Sequence, residues 1–516
     1  MKIALVNPPP RNELDRHWAP FPVLGLAYVA ASLRAAGHQV RVLDGKLGEL
    51  SVEEIQREIV RDPPDLVGIT CMTVEFPATA RIAQQIRSAL PAVPIVLGGA
   101  HVNAVGTLVL SECPDVDYAC IGEGEHLVCE LVTALERGQP VDGIPGLAFR
   151  RDGRIVQAAA RDYHNDYDGL PFPAWDLFKV GEQIPLLTHR GCPFECNFCG
   201  HNSGFKPRYR SPQNVLAEMQ DVVERFQPRV IRIEDETFGL NMARTKEILK
   251  GILARGLHER VRFSAQTRVD RLDEEFVGLL RRCRFETLEL GVESGSPPVL
   301  ERMGKGISVE QVERAVVLAK RAGLTVWCKF ILGHPNETIA DLRRTADFIA
   351  RLNPDRLSVS IMTPFPGTPI FDMAIRGEGG YRLLSSDWQN FDKYGSNVLE
   401  LEDVSITQLK IHQLWCYLKL YVWNGRLRDL ARLALNNRGV VVELLSQLAR
   451  AATGGGAGKL KARQAPAPAK TPAFTKLSDV AMPDATLARL RARPTAGRPA
   501  GDERSATLRS WAAPGA

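Results

Sequence analysis

The chain has 516 residues, room for two or three domains, and its 45% hydrophobic and 24% charged residues are ordinary for a globular protein. The formal net charge of +5 belongs to the tail: residues 451–516 hold 11 Lys/Arg against 4 Asp/Glu, which leaves the first 450 at −2, so the basic surplus does not argue for a nucleic-acid-binding fold and no nucleic-acid partner is expected. No apolar run reaches the ~18 residues of a membrane span, the first residues lack a signal-peptide pattern, and seven of the ten cysteines lie singly in apolar segments, as expected in a reducing cytoplasm.

In chain order, residues 1–140 alternate strand and helix signals. Strands are predicted at Lys2–Val6, Gln39–Asp44, Leu66–Thr70, Ile95–Gly98 and Tyr118–Ile121. Helices are predicted at Leu24–Ala36, Val52–Val60, Ala78–Leu90 and near Glu125–Glu136. Short, nearly all-apolar strands in βα repeats imply a doubly wound, Rossmann-like α/β domain with a parallel sheet covered on both faces. Ligands bind such sheets beyond the carboxyl ends of the strands. Those ends carry Asp44, the run Thr70 to Thr73, Gly98-Gly-Ala-His101 and Gly122-Glu-Gly-Glu125.

Residues 141–180 read as a connector with a short hairpin at Gly146–Val156. A second βα series fills 181–376, with strands predicted at Ile184–Leu187, Val230–Glu234, Val261–Ala265, Thr287–Leu290, Thr325–Leu332 and Leu357–Met362. Six units suit a partial barrel, whose chemistry sits at the carboxyl ends of its strands. Residues 377–450 read as mainly helical, and the Ala/Pro/Arg-rich 451–516 as a disordered tail. The segment Leu409–Val422 carries an apolar stripe (Ile411, Leu414, Trp415, Leu418, Tyr421, Val422) followed by Arg426, Arg428, Arg432 and Arg438. It is read as a helix on the barrel, with a peripheral membrane face as the alternative.

After the first barrel strand comes Gly191-Cys-Pro-Phe-Glu-Cys-Asn-Phe-Cys-Gly200, which places Cys192, Cys196 and Cys199 on one short loop. Three thiolates from one loop suit a cubic iron–sulfur cluster with one iron unligated. A structural zinc site wants four protein ligands, and no second cysteine or histidine pair follows. The pattern resembles the radical S-adenosylmethionine (SAM) superfamily, over roughly Pro185–Phe371. The resemblance implies a 4Fe–4S cluster on the three cysteines and S-adenosylmethionine chelated to the open iron. By the same resemblance Phe198 lies near the adenine, and Glu236, in Glu234-Asp-Glu-Thr-Phe238, meets the SAM amino group, preferred over Asp235. Arg268 meets the methionine carboxylate, Glu293 the ribose hydroxyls, and Ile331, in the segment ending Gly333-His-Pro-Asn-Glu-Thr338, flanks the adenine. His334 and Asn336 depart from the family's common Leu and Gly there.

A doubly wound domain upstream of such a barrel resembles the cobalamin-binding class. The matching runs are Phe21-Pro-Val-Leu-Gly-Leu-Ala-Tyr28, Val96-Leu-Gly-Gly-Ala-His101 and Ile121-Gly-Glu-Gly-Glu125. Asp44, Thr70, Thr73, Gly98, Gly99 and Glu123 are the implied cobalamin contacts. The Asp-x-His-x-x-Gly run that ligates cobalt in cobalamin-dependent mutases is absent: Asp44-Gly-Lys-Leu-Gly48 stands in its place. His101 is read as a hydrogen-bonding loop residue, not a cobalt ligand.

The resemblance implies a cobalamin-dependent radical SAM enzyme, a methyltransferase acting on an unactivated carbon of a small natural product or lipid-like metabolite. Its means would be a 5′-deoxyadenosyl radical and methylcobalamin, with flavodoxin or ferredoxin supplying electrons. A cyclase or rearrangement enzyme with the same cofactors, as in the anaerobic porphyrin-ester cyclase branch, and a cobalamin-binding sensor with a degenerate barrel are the alternatives. Cys283, Cys328 and Cys416 are read as core residues rather than as the final hydrogen donor.

Overall fold

The computed structural model describes residues 1–11, 21–201, 203–392 and 397–436. The expected disordered tail, and residues 437–450 of the expected helical region, lie outside the described residues.

Five parallel strands open the chain: β1 (Lys2–Asn7), β2 (Gln39–Asp44), β3 (Leu66–Thr70), β4 (Ile95–Gly98) and β5 (Tyr118–Cys120). Their order is β2-β1-β3-β4-β5. The order reverses direction between β1 and β3, which opens a crevice at their carboxyl ends. Helices Leu24–Ala35, Val52–Arg61, Phe76–Ala89 and Gly124–Glu136 fall within two residues of their predicted positions. Ser51 and Glu54 close a capping box at the start of the second. The hairpin β6 (Leu147–Arg151) and β7 (Arg154–Gln157), expected in a connector, pairs antiparallel with β5 and extends the first sheet.

After β8 (Gln183–Leu186), a ribbon of β9 (His189–Arg190) and β10 (Arg208–Tyr209) closes the loop that holds the cysteines. The remaining barrel strands are β11 (Val230–Ile233), β12 (Arg262–Arg268), β13 (Phe285–Glu293), β14 (Thr325–Leu332) and β15 (Arg356–Ile361). They pair in parallel in the order β8-β11-β12-β13-β14-β15, the six-unit partial barrel expected from the sequence. Ser211, Asn241, Asp273, Ser308 and Thr338 each cap the helix after a strand by accepting a backbone N–H, so every crossover starts at a defined residue. Along β14, Val326, Cys328, Phe330 and Leu332 are buried while Trp327, Lys329 and Ile331 alternate with them on the other face.

A second hairpin, β16 (Tyr381–Leu383) with β17 (Leu399–Leu401), leads into helix Ile406–Trp423. Between the two strands, Trp388 reaches back to the first sheet. Its indole N–H donates to Glu112 Oε2 at 3.1 Å, and its ring lies 5.2 Å from that of His101. Burial pushes the Glu112 carboxyl up to about 7 against the opposing indole bond.

Candidate active site

The cysteine loop is shaped by its base. Gly191 (φ +90°) leads into it, and a Cβ there would fall 2.4 Å from Lys206 O, so only glycine admits the chain. The N–H of Cys192 donates to Gly204 O and that of Cys199 to Cys196 O, both at 3.1 Å. Burial pushes the Cys196 and Cys199 thiols up; at Cys196, Lys305 and Arg268 oppose it. Cations beside a thiol favour the thiolate that binds metal.

Asp235, fully buried at the end of β11, anchors the loop from beneath. It accepts from Thr188 N and Oγ1 at 2.6 Å each, from His189 N at 3.2 Å, and pairs with His189 Nδ1 at 2.9 Å. Burial works against both charges. The pairing nevertheless holds the Asp235 carboxyl below its ordinary range and the His189 imidazole above its own. With Asp235 so committed and Glu234 paired with Arg232, Glu236 is the carboxylate left in the acidic turn. Its Oε2 is buried without a hydrogen-bond partner, and its charge acts on Cys199. An orphaned carboxylate oxygen is costly, and an ammonium group seated there resolves it.

Arg268, at the end of β12, bonds Asp270 through Nε (3.0 Å) and Nη2 (3.3 Å) and donates to Lys305 O at 2.7 Å. Its guanidinium lies 3.6 Å from the centre of the Phe194 ring. Two of its three nitrogens are therefore already engaged. Glu293 ends β13 past a register shift that begins at Gly291, in left-handed backbone with φ +71°. Such strain in a non-glycine residue concentrates at functional positions. Its Oε1 accepts from Lys305 Nζ at 2.6 Å. Gly291 leaves the room: a Cβ there would lie 2.6 Å from that oxygen and 2.8 Å from the ammonium.

Lys305 was missed in the sequence. It joins Glu293 and Cys196 to Phe198, whose ring centre is 5.7 Å away, and its only signal is the turn Gly304-Lys-Gly306. Phe198 packs on Val299, Leu300 and Met303 and meets the His334 ring edge-on at 6.0 Å. His334 is wholly buried, and burial drives its pKa down to about 3, so it is a neutral ring. Ile331 is half-buried at the end of β14. Deeper in the barrel, Glu289 accepts from Arg232 and Lys329, a network without a sequence signature. Cys283, Cys328 and Cys416 are buried with their thiols pushed up by burial, as expected of core residues.

At the first sheet, Asp44 Oδ1 accepts from Asn7 Nδ2 (2.7 Å) and Lys46 N (2.9 Å), while its Oδ2 is buried and unpartnered. The loops after β3 and β4 are zipped together: Cys71 N donates to Gly98 O, His101 N to Cys71 O, and Thr73 Oγ1 lies 3.3 Å from His101 Nδ1. Gly99 is required by close approach, since its Cβ would fall 2.9 Å from Thr70 Oγ1. Gly98 and Gly122 instead face open space, the nearest atom to a Gly98 Cβ being 3.9 Å away. Bare backbone at open strand ends fits the edge of a large planar ligand such as a corrin. Met72, within the expected run Thr70 to Thr73, is 52% exposed. His101 is sealed between Phe76 and Trp388, where burial lowers its pKa to about 3.

Glu123 departs from the expectation of a cobalamin contact. Both of its oxygens are taken, by Arg190, Arg208, Tyr167 and His164 N. The sequence could not show this, because the partners lie 41 to 85 residues away.

Comparison with known proteins agrees with this geometry. Residues 19–132 match the B12 binding domain and residues 186–349 the radical SAM superfamily. The chain is 32% identical over 432 residues to an uncharacterized methyltransferase of Pyrococcus horikoshii, covering 82% of this chain and 93% of the relative. It is 28% identical to the anaerobic magnesium-protoporphyrin IX monomethyl ester cyclase of Rubrivivax gelatinosus, over 72% of this chain and 69% of the cyclase. In fold it is similar to the radical S-adenosylmethionine methyltransferase TsrM of Kitasatospora setae, solved with tryptophan and a SAM analogue. The TM-score is 0.66 at 21% identity, over 81% of this chain and 88% of that one. The two matched domains, the order in which they follow one another and the near-complete alignment to a methyltransferase converge: this chain belongs to the cobalamin-binding radical S-adenosylmethionine enzymes, whose cofactors are a 4Fe–4S cluster, S-adenosylmethionine and cobalamin.

Proposed function

We propose that the protein is a methyltransferase acting on an unactivated carbon of a small natural product or lipid-like metabolite. The observation that carries this is the likeness to a methyltransferase across both halves of the chain, joined to strand ends whose orphaned groups fit the cofactors. When bound, the cluster and S-adenosylmethionine supply a carbon radical, and cobalamin carries the methyl group. Cys192, Cys196 and Cys199 hold the cluster. Glu236 takes the SAM amino group, Arg268 the carboxylate with its uncommitted nitrogen, and Glu293, oriented by Lys305, the ribose. Phe198 and Ile331 flank the adenine. Asp44, Thr70, Thr73, Gly98 and Gly99 border the corrin, and Glu123 leaves that set. The working division is a cobalamin domain over 1–140 extended by the hairpin to Gln157, a barrel over 181–376 and a helical cap after it. A reducing cytoplasm with flavodoxin or ferredoxin as electron source suits ten cysteines without a disulfide, three of them reserved for the cluster.

Anaerobic reconstitution with iron, sulfide, cobalamin, S-adenosylmethionine and reductant tests this. S-adenosylhomocysteine together with 5′-deoxyadenosine is the expected result. 5′-Deoxyadenosine alone would replace methyl transfer by cyclisation or rearrangement, and neither product would leave a cobalamin-binding sensor.

No helix among the described residues is long and apolar enough to cross a membrane. One face of helix Ile406–Trp423 is nevertheless bare: Ile411, Trp415, Val422 and Trp423 are exposed, the last at 75%. Lys419 lies within 6 Å of both indole rings, and Arg428 and Arg432 follow. Indoles beside cations suit an anionic lipid surface, which supports the lipid-like branch of the substrate reading. Co-sedimentation with phosphatidylserine vesicles is expected, and its loss in Trp415→Ser/Trp423→Ser. Wild-type protein that stays in the supernatant would remove this branch.

A further inference from the structure

The groups that occupy Glu123 form a cluster outside the cofactor sites. Arg190 and Arg208 stand opposite each other in the β9–β10 ribbon, at the two ends of loop 191–207 that holds the cysteines. Glu123 is the N-cap residue of, and Glu125 sits in the first turn of, helix Gly124–Glu136, which follows β5 of the first sheet. Arg190 Nη1 is 3.2 Å from Glu123 Oε1, and its Nη2 is 2.6 Å from Glu125 Oε1. Arg208 Nη1 reaches both Glu123 oxygens at 3.0 Å and donates to His164 O at 3.0 Å. Tyr167 donates its hydroxyl to Glu123, and His164 N donates at 3.1 Å.

Aromatic rings close the assembly. Arg190 lies over Tyr28 (5.2 Å) and Tyr167 (4.8 Å), and Arg208 over Tyr163 (4.4 Å) and Tyr167 (5.2 Å). Arg208, Glu125, Tyr28 and Tyr167 are buried, and Arg190 and Glu123 nearly so. Buried, charge-assisted hydrogen bonds are stronger than neutral ones, and a buried pair is far costlier to break than a surface pair.

We infer that Glu123 and Glu125, with Arg190 and Arg208, form a latch that fixes the cysteine loop against the strand ends of the cobalamin-binding sheet and so sets the spacing between the two cofactors. These are positioning residues. With the cofactors bound, methyl transfer from S-adenosylmethionine to the corrin would cross that spacing, whereas reductive cleavage of S-adenosylmethionine at the cluster would not. Loosening the latch therefore hits the first reaction harder. The inference rests on the methyltransferase reading above.

The test uses the full chain and two variants, Glu123→Gln and the milder Tyr167→Phe, which deletes one hydroxyl. In cofactor-free protein, hydrogen–deuterium exchange of peptides within residues 189–209 should rise several-fold in both variants while that of helix Val309–Arg321 holds. In reconstituted protein without substrate, where each cobalamin accepts a single methyl group, the ratio of the initial rates of S-adenosylhomocysteine and 5′-deoxyadenosine formation should fall on the order of tenfold in Glu123→Gln, since small misplacements of reacting groups cost that much or more. It should fall less in Tyr167→Phe. Unchanged exchange in the loop, or an unchanged ratio, overturns the latch. Should Glu123→Gln fail to fold, Tyr167→Phe alone decides by the same two readings. Wild-type protein that makes 5′-deoxyadenosine but no S-adenosylhomocysteine removes both the function and the latch. A wild-type ratio shared by the variants removes the latch alone.

Discussion

Replacing Cys196 by alanine is expected to abolish 5′-deoxyadenosine formation, a loss of at least roughly a thousandfold of the kind seen when a covalent-chemistry or cofactor-holding group is deleted. Cys192→Ala and Cys199→Ala should behave alike, because a cubic cluster held by three thiolates has no spare ligand. The loop gives the reason no neighbour can substitute. Its backbone turns on Gly191, Gly204 and the Cys199 N–H···O Cys196 bond, which leaves no slack for a different side chain to reach in. The seven other cysteines sit elsewhere in the fold. Iron and sulfide content and the reduced-state EPR signal measure the outcome. A Cys196→Ala protein that keeps its iron and still cleaves S-adenosylmethionine would transfer the cluster assignment to other residues.

The second large effect concerns Asp235. Asp235→Ala leaves Thr188, His189 and a buried imidazole without their acceptor, and breaking a buried pair on one side costs about 3–5 kcal/mol. Cluster loading should fall with it, since Asp235 braces the strand that enters the cysteine loop. The pair also carries a pH signature. His189 has a raised pKa in the folded protein, so its stabilisation is complete below the unfolded value of about 6.5 and is lost as pH rises through the folded value. Asp235, held low, contributes above its unfolded value of about 3.9 and fails only in more acidic solution. Within the pair, only the histidine titrates above about pH 6.5. Glu112 and Glu337, both pushed up to about 7 by burial, titrate nearby, so the comparison must be made against Asp235→Asn. The thermal midpoint of the wild type should fall more steeply from pH 6.5 to 8 than that of the variant. Parallel curves would show that the imidazole is neutral throughout.

Much of this architecture could be read from the residues. Buried parallel strands such as Leu66–Thr70 and Ile95–Gly98 appear at the predicted bounds because an all-apolar run between turn residues has one stable placement in a covered sheet. Barrel strands β12 and β13 run longer than predicted, because their ends carry Arg268 and Glu293, polar residues that hydropathy assigns to loops. The spacing singled out the cysteine loop, and the ribbon of β9 and β10 brackets that same loop. Lys305 was not, because a lysine between two glycines looks like any exposed turn, and only the fold brings it to Glu293. Glu123 was drawn to the corrin by its place at a strand end. Its true neighbours arrive from the following connector and from the ribbon, contacts that no local pattern encodes.

Trp388 bears on how the protein is made. Its partner Glu112 precedes it by 276 residues. At roughly 5–20 residues per second of synthesis, about 15–55 s pass between the emergence of the one and the other. Throughout that interval the face formed by Phe76, His101 and Glu112 has no indole to cover it. The N-terminal half thus leaves the ribosome with an open apolar seam, a period in which a chaperone holds the advantage over spontaneous folding. Production of the first domain as a separate fragment would make that transient exposure permanent.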